Sequence, residues 1–351
     1  MKRLFTIAMS LMLSLVGCTA QKTNYQSLNV EEFEKYINTE NVVRLDVRTA
    51  EEYAEGHLTD AINIDVQGNG FLANATSCLP KDKTIAVYCR SGRRSKKAAD
   101  MLVGKGYKVV ELNSGFTGWN EAGKPATKEE VDLFLTDKGS CIYSYCIKHG
   151  SVRLRIEDKW IYVDPVTDKV APVTDYTSMP KADIILITHE HADHLDAKAI
   201  EQLTKEGTAL ILNPNSQNIL GGKGEAMRNG DSKTVGQYEL KAVPAYNNSP
   251  DKHQFHPKGR DNGYILSFEG LRIYLAGDTE DIPEMEQLKD IDVAFLPCNL
   301  PFTMTPEQLA KAAKVLRPRV LFPYHYGKTD IKQVTKLLDG SGIDVRIRQY
   351  Q

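Results

Sequence analysis

Residues 182–196 read Ala182-Asp183-Ile184-Ile185-Leu186-Ile187-Thr188-His189-Glu190-His191-Ala192-Asp193-His194-Leu195-Asp196. The stretch opens as a buried strand, turns polar at Thr188, and leads into an amphipathic helix beginning near Asp196. Three of the chain's eight histidines fall within six residues at the end of that strand. His189 and His191 are two apart, so an extended backbone points both the same way. Asp193 and His194, at the turn into the helix, reach the same cavity from another side. Imidazole with carboxylate suits Zn²⁺, Mn²⁺ or Fe²⁺ and does not suit Ca²⁺. Glu190, lying between these residues, reads as a solvated or supporting carboxylate.

Working outward, other strands also end in polar groups. Residues 160–163 (WIYV) end at Asp164-Pro165, 271–276 run into Gly277-Asp278, and 319–323 into Tyr324-His325. Cys298, after the strand 292–296, reads as core packing or cavity wall. Upstream, 42–47 (VVRLDV) and 84–88 (TIAVY) are buried parallel-type strands, with amphipathic stretches at 31–37 and 95–103. Gly and Pro, then a polar helical segment, mark a boundary over 119–140, and no internal repeat relates the two sides. The expected architecture is α/β throughout, with one α/β domain over 24–123, a linker over 124–140 and a different domain over 141–351.

Cys89 follows TIAVY and opens the loop Arg90-Ser91-Gly92-Arg93-Arg94, after which Ser95 begins a helix. A loop curling into a helix N-terminus aims backbone N–H groups at the sulfur, and the three arginines add positive charge. Such a cradle stabilises a thiolate nucleophile.

The Cys89 region resembles a single-domain rhodanese. The match rests on 45–57 (LDVRTAEEYAEGH), the loop CRSGRRS at 89–95, and Gly115-Phe116-Thr117-Gly118-Trp119. The resemblance implies a Cys89 persulfide charged by a sulfur donor such as thiosulfate, with Asp46 and Arg48 as framework. The chain departs from the family at Thr59-Asp60-Ala61, where a Pro-Gly-Ala turn is usual. Ser95 stands where a Cys-based phosphatase needs Arg, which favours sulfur transfer.

The histidine stretch resembles the metallo-β-lactamase superfamily, whose hallmark is His-x-His-x-Asp-His, and the likeness runs from about residue 141 to 351. His149-Gly150-Ser151-Val152 and 161–165 (IYVDP) resemble its Zn-dependent hydrolase branch, which includes sugar-lactonase-like proteins. The resemblance implies an αββα sandwich with two metals, zinc foremost and manganese or iron as alternatives. His189 and His191 with one further ligand hold the first metal; Asp193, His194 and His325 hold the second; Asp278 bridges. Asp193 also counts as catalytic. A hydroxide shared by the metals attacks an ester, lactone or phosphodiester of a small-molecule substrate. The match breaks after 239–245 (ELKAVPA), where a third histidine is usual and Tyr246-Asn247-Asn248 stands. Asn247, His253 or His256 supplies that ligand, or the site holds one metal.

With 44 Lys+Arg against 46 Asp+Glu, net charge -2, 41% hydrophobic and 26% charged residues, the 351-residue chain is an ordinary globular composition. It has no basic excess for nucleic acid. Lys2 and Arg3 precede an apolar run from Leu4 to Val16, too short to span a bilayer. The following Gly17-Cys18 resembles a bacterial lipobox, which implies lipidation of Cys18 and an extracytoplasmic protein whose only membrane contact is that anchor. The other five cysteines form no disulfide framework, although Cys141 and Cys146 could pair.

Three functions compete. The first is a membrane-anchored hydrolase with an active sulfurtransferase domain. The second is a persulfide dioxygenase with one Fe²⁺. The third is a hydrolase whose rhodanese-like half only binds.

Overall fold

The computed structural model describes residues 24–39 and 41–349; Cys18 and the expected targeting segment lie outside them. The first unit alternates strand and helix: β1 (Gln26–Leu28), α1 (Val30–Ile37), β2 (Val42–Asp46), α2 (Ala50–Glu55), β3 (Ala61–Asn63), α3 (Phe71–Cys78), β4 (Thr84–Tyr88), α4 (Arg93–Val103), β5 (Lys108–Leu112) and α5 (Gly115–Glu121). Its sheet is wholly parallel, in the order β1-β5-β4-β2-β3. Both faces are covered, so successive strand residues enter different cores: Ile85 and Val87 on one side, Ala86 and Tyr88 on the other. Capping boxes at Asn29/Glu32 and Thr49/Glu52 start α1 and α2.

The second unit holds two seven-stranded sheets. One comprises β6 (Val131–Leu135), β7 (Cys141–Lys148), β8 (Ser151–Ile156), β9 (Lys159–Val163), β10 (Ile184–Leu186), β11 (Ala209–Leu212) and β12 (Glu225–Ala226), with α6 (Ala197–Leu203) and α7 (Pro214–Ile219) between its last strands. The other comprises β13 (Ser232–Val235), β14 (Tyr238–Ala245), β15 (Asp261–Phe268), β16 (Leu271–Leu275), β17 (Val293–Pro297), β18 (Val320–Tyr324) and β19 (Asp344–Val345), with α8 (Pro306–Leu316) and α9 (Lys332–Leu337). The inner faces meet in one core, Leu154 and Ile161 with Leu266, Phe295 and Phe322. On the outer faces, Ala199 and Leu203 of α6 pack on Ile185 and Ile187, and Leu309 and Val334 of α8 and α9 pack near Leu321. This is the expected αββα order of layers.

The segment read as a polar helical linker is corrected. Residues 131–135 are strand β6, antiparallel to β7. Its alternation explains this: Asp132 faces the C-terminal arginines while Val131 and Leu133 enter the core beneath β2 and β4. Cys141, Tyr143 and Tyr145 of β7 join that core, so the two units share it. Cys141 and Cys146 are both free. Five apart on one strand, they point to opposite faces, one in each core.

The departure at Thr59-Asp60-Ala61 has a structural use. Asp60 takes the left-handed conformation, φ 59°, which Asp tolerates better than most residues. Its carboxylate accepts the Tyr145 hydroxyl at 2.9 Å and meets Arg155 at 3.0 Å. The first unit is thereby tied to the second.

Candidate metal centre

The strand ends at Leu186, and His189, His191, Asp193 and His194 follow in the turns between β10 and α6. Two of the histidines are oriented by a partner on the second ring nitrogen. Thr188 donates its hydroxyl to Asp164 at 2.6 Å, so its oxygen is left to accept from His189 Nδ1, 3.0 Å away. Asp164 also accepts from His194 Nδ1 at 2.8 Å. In each of these rings Nε2 then faces the cavity as the atom that would ligate a cation. Asp164 (φ 44°), His149 (φ 48°) and His325 (φ 49°) are left-handed non-glycine residues, a local cost of about 1–2 kcal/mol each. Such strain concentrates where a site demands it.

Two donor groups result. His194 Nε2 and His325 Nε2 lie 3.1 Å apart. Both stand 3.5 Å from Asp278 Oδ1, and 3.7 and 3.4 Å from Asp193 Oδ2. A tetrahedral ion with bonds of about 2.0–2.2 Å needs donor atoms about 3.3–3.6 Å apart, so the spacing is close to what such an ion needs. In the other group His189 Nε2 is 3.0 Å from His191 Nδ1, His256 belongs to the same set, and His256 Nε2 faces Asp278 Oδ2 at 3.3 Å. The two oxygens of Asp278 therefore face different groups. His256 Nε2 and Asp278 Oδ1 are buried with no hydrogen-bond partner among the described residues, the condition a cation relieves.

Chain packing separates the three residues considered for the third position. Asn247 donates its amide to the Phe302 carbonyl at 2.8 Å, leaving Oδ1 to accept from His256 Nδ1 at 2.8 Å. Asn247 thus orients the histidine. His253 is exposed and faces the Asn248 carbonyl. Buried Glu280 pins this loop by accepting from the Asn248 and Ser249 amides, the Ser249 hydroxyl and Lys252. Glu190 is held by Asn213, Asn215 and Arg260, and Cys298 is core.

Protonation suits cation binding. Burial holds His189 well below its ordinary value and lowers His191. Burial would raise Asp278, but His325 and His194 hold it well below; burial likewise opposes ionisation of Asp193, and His194 with His149 outweighs it. Burial also opposes a charge on His194, yet Asp278, Asp193 and Asp164 push it up to about 10, so a proton holds the place that a cation would take. A buried excess of carboxylate charge is what divalent cations offset.

Sequence reasoning missed His149, Asp164 and Glu280 as site residues. His149 Nε2 lies 3.0 Å from Asp193 and its ring centroid 3.6 Å from that of His325. The only signals were a histidine at a strand-to-strand turn and an aspartate closing a strand.

In the first unit, Cys89 is buried at the end of β4, and Gly92 (φ 87°) opens α4. A side chain at Gly92 would collide with the Asn113 carbonyl. Arg90, Ser91 and Arg93 are exposed. Arg94 is bidentate on Glu52 at 2.6 and 2.7 Å, so its charge is largely taken up there. Asp46 and Arg48 form a buried ion pair beside the loop, as expected of a framework.

Fold and donor geometry define a metallo-β-lactamase-type protein with a rhodanese-like unit before it. Residues 145–325 match the model of the beta-lactamase superfamily domain, residues 29–122 that of the rhodanese-like domain, and the chain belongs to the beta-lactamase superfamily. A UPF0173 metal-dependent hydrolase of Anoxybacillus flavithermus is 32% identical over 216 residues, covering 57% of this chain and 94% of that one. One from Pyrococcus furiosus is 35% identical over 187 residues, covering 50% and 78%. A crystal structure of a candidate metal-dependent hydrolase from Parabacteroides distasonis is 54% identical with TM-score 0.61, covering 64% of this chain and all of that one.

Proposed function

We propose that this protein is a metal-dependent hydrolase with two metal sites, carrying a rhodanese-type sulfurtransferase site at Cys89. The observation that carries the reading is Asp278, whose two oxygens face two separate donor groups at 3.3 and 3.5 Å. His189, His191 and His256 make up the first site; Asp193, His194 and His325 the second. Bound zinc or manganese would lower the pKa of a water towards neutrality and polarise the bond under attack. The chain's part is to hold neutral imidazoles and ionised carboxylates in fixed orientation, which Asp164, Thr188 and Asn247 do. An ester, lactone or phosphodiester is the substrate class. Lipidation at Cys18 and a place outside the cytoplasm complete the proposal; no helix of the described residues is long and apolar enough to cross a membrane.

Plasma mass spectrometry of the purified protein tests this reading. Two zinc or manganese per chain are expected. One iron per chain, with oxygen uptake on glutathione persulfide, would replace it with persulfide dioxygenase chemistry.

A further inference from the structure

Behind Cys89 lies a carboxylate that nothing above uses. Glu111 of β5 is fully buried beneath the loop. Its Oε1 accepts the Ser95 hydroxyl at 2.7 Å and its Oε2 the Ser27 hydroxyl at 2.7 Å. Ser95 Oγ is in turn 3.4 Å from Cys89 Sγ. Ser95 owns one hydroxyl proton, and the short bond to a carboxylate is the stronger claim on it. Its oxygen lone pairs then face the sulfur, an arrangement that accepts from a thiol S–H and repels a thiolate.

The other charged groups around this pair do not cancel Glu111. Arg94, the cation within electrostatic reach of Cys89, is paired with Glu52, and Arg90 and Arg93 are exposed on the solvent side of the loop. Tyr25 lies within electrostatic reach of both Asp100 and Glu111 and adds no positive charge. The carboxylate stands within about 6 Å of the sulfur, where two buried like charges oppose each other strongly.

We propose that Glu111, acting through Ser95, is a positioning residue that opposes the Cys89 thiolate and favours the persulfide, whose charge lies one sulfur further out. The inference rests on Cys89 being the sulfur-accepting nucleophile. In the step concerned, the Cys89 thiolate attacks the outer sulfur of thiosulfate. A new S–S bond forms, the S–S bond of thiosulfate breaks, and its electron pair leaves with sulfite. The negative charge moves from Sγ to the terminal sulfur, away from Glu111 and towards the mouth of the loop. Relative to the thiolate, Glu111 therefore favours sulfur uptake and slows its return, whereas at a pH where Cys89 is the thiol it holds back both anions.

Two readouts on the full chain test this. The first is the pH dependence of Cys89 alkylation by iodoacetamide, followed by mass spectrometry, which needs no sulfur donor. E111Q is expected to move the midpoint down by about one pH unit, raising the rate near neutrality about tenfold. S95A is expected to move it down as well, by less than E111Q, because the lone pairs that repel the thiolate are gone while Glu111 remains. The second is persulfide occupancy after thiosulfate in the presence of sulfite, at a pH above the alkylation midpoints of wild type and variant so that the thiolate is the starting form, expected to fall about threefold in E111Q. An unmoved midpoint in both variants, or an upward shift in E111Q, overturns the proposal. If the wild type takes up no sulfur from thiosulfate, the sulfurtransferase reading fails, while the alkylation midpoints still decide what Glu111 does to the thiol.

Discussion

Asn247 and His256 exchange the roles that local order suggests. The asparagine stands where a ligand is expected after β14, yet its amide is spent on Phe302 and its oxygen on His256. Removing each has a different expected consequence. H256A should leave one metal per chain, since its lone Nε2 is what completes the first group. N247A should keep two metals but weaken one by about 10–100-fold, the usual effect of losing the group that orients a ligand. Metal content with competitive chelation distinguishes them, and equal losses in both variants would sink the assignment. D278A should lose both metals' full occupancy and hydrolysis together, because it faces both groups. The candidate ligands at 189–194 were legible because they crowd one strand end. The choice between Asn247, His253 and His256 was not, because it depends on how the loop after β14 folds back over Glu280.

At the scale of elements, β6 decides how the chain closes on itself. Asp132 is buried and accepts from Arg346 at 2.7 Å and from Arg348 at 2.9 and 2.7 Å. The C-terminal residues after β19 are thus tied to the edge strand of the opposite sheet. Burial alone would raise the Asp132 carboxyl, but Arg348 and Arg346 outweigh it and hold it below the ordinary carboxylate range. A depressed folded value means the stabilisation is present above about pH 4 and is lost as pH falls through the folded value. D132N should cost about 3 kcal/mol in urea unfolding at pH 7. The gap between wild type and D132N should narrow below about pH 4; a constant gap would show that the charge is not what holds the tail. The strand was missed because Gly123 and Pro125 break the pattern just before it, and the polar residues that follow read equally well as a helix. Only the arginines far along the chain, Arg346 and Arg348, show why Asp132 alternates with apolar neighbours.

For the whole molecule, the shared core is the consequential feature. Val131, Leu133, Tyr143 and Tyr145 of the second unit pack with Val43, Leu45 and Ile85 of the first. Deleting residues up to 123 uncovers that patch, and the remaining unit is expected to lose about 5–10 °C in Tm by calorimetry. An unchanged Tm would mean that the contact contributes nothing to stability. The two proposed activities are expected to be separable: C89S should abolish thiosulfate:cyanide sulfur transfer with metal content unchanged.

Local pattern was enough to read the two α/β units, the buried strands, the cysteine loop and most of the candidate donor residues at the strand ends. Those signals are local: periodicity, a turn glycine, and ligand types crowded into a few positions. Tertiary structure alone placed His256 beside His189 and His191 and set Asp164 and Asn247 against the rings. It also decided that Asp60 docks one unit on the other and that Glu111 sits beneath Cys89. Each of these joins residues distant in the chain or separated by an irregular loop. Their placement follows from which buried polar groups can satisfy one another once the sheets have packed.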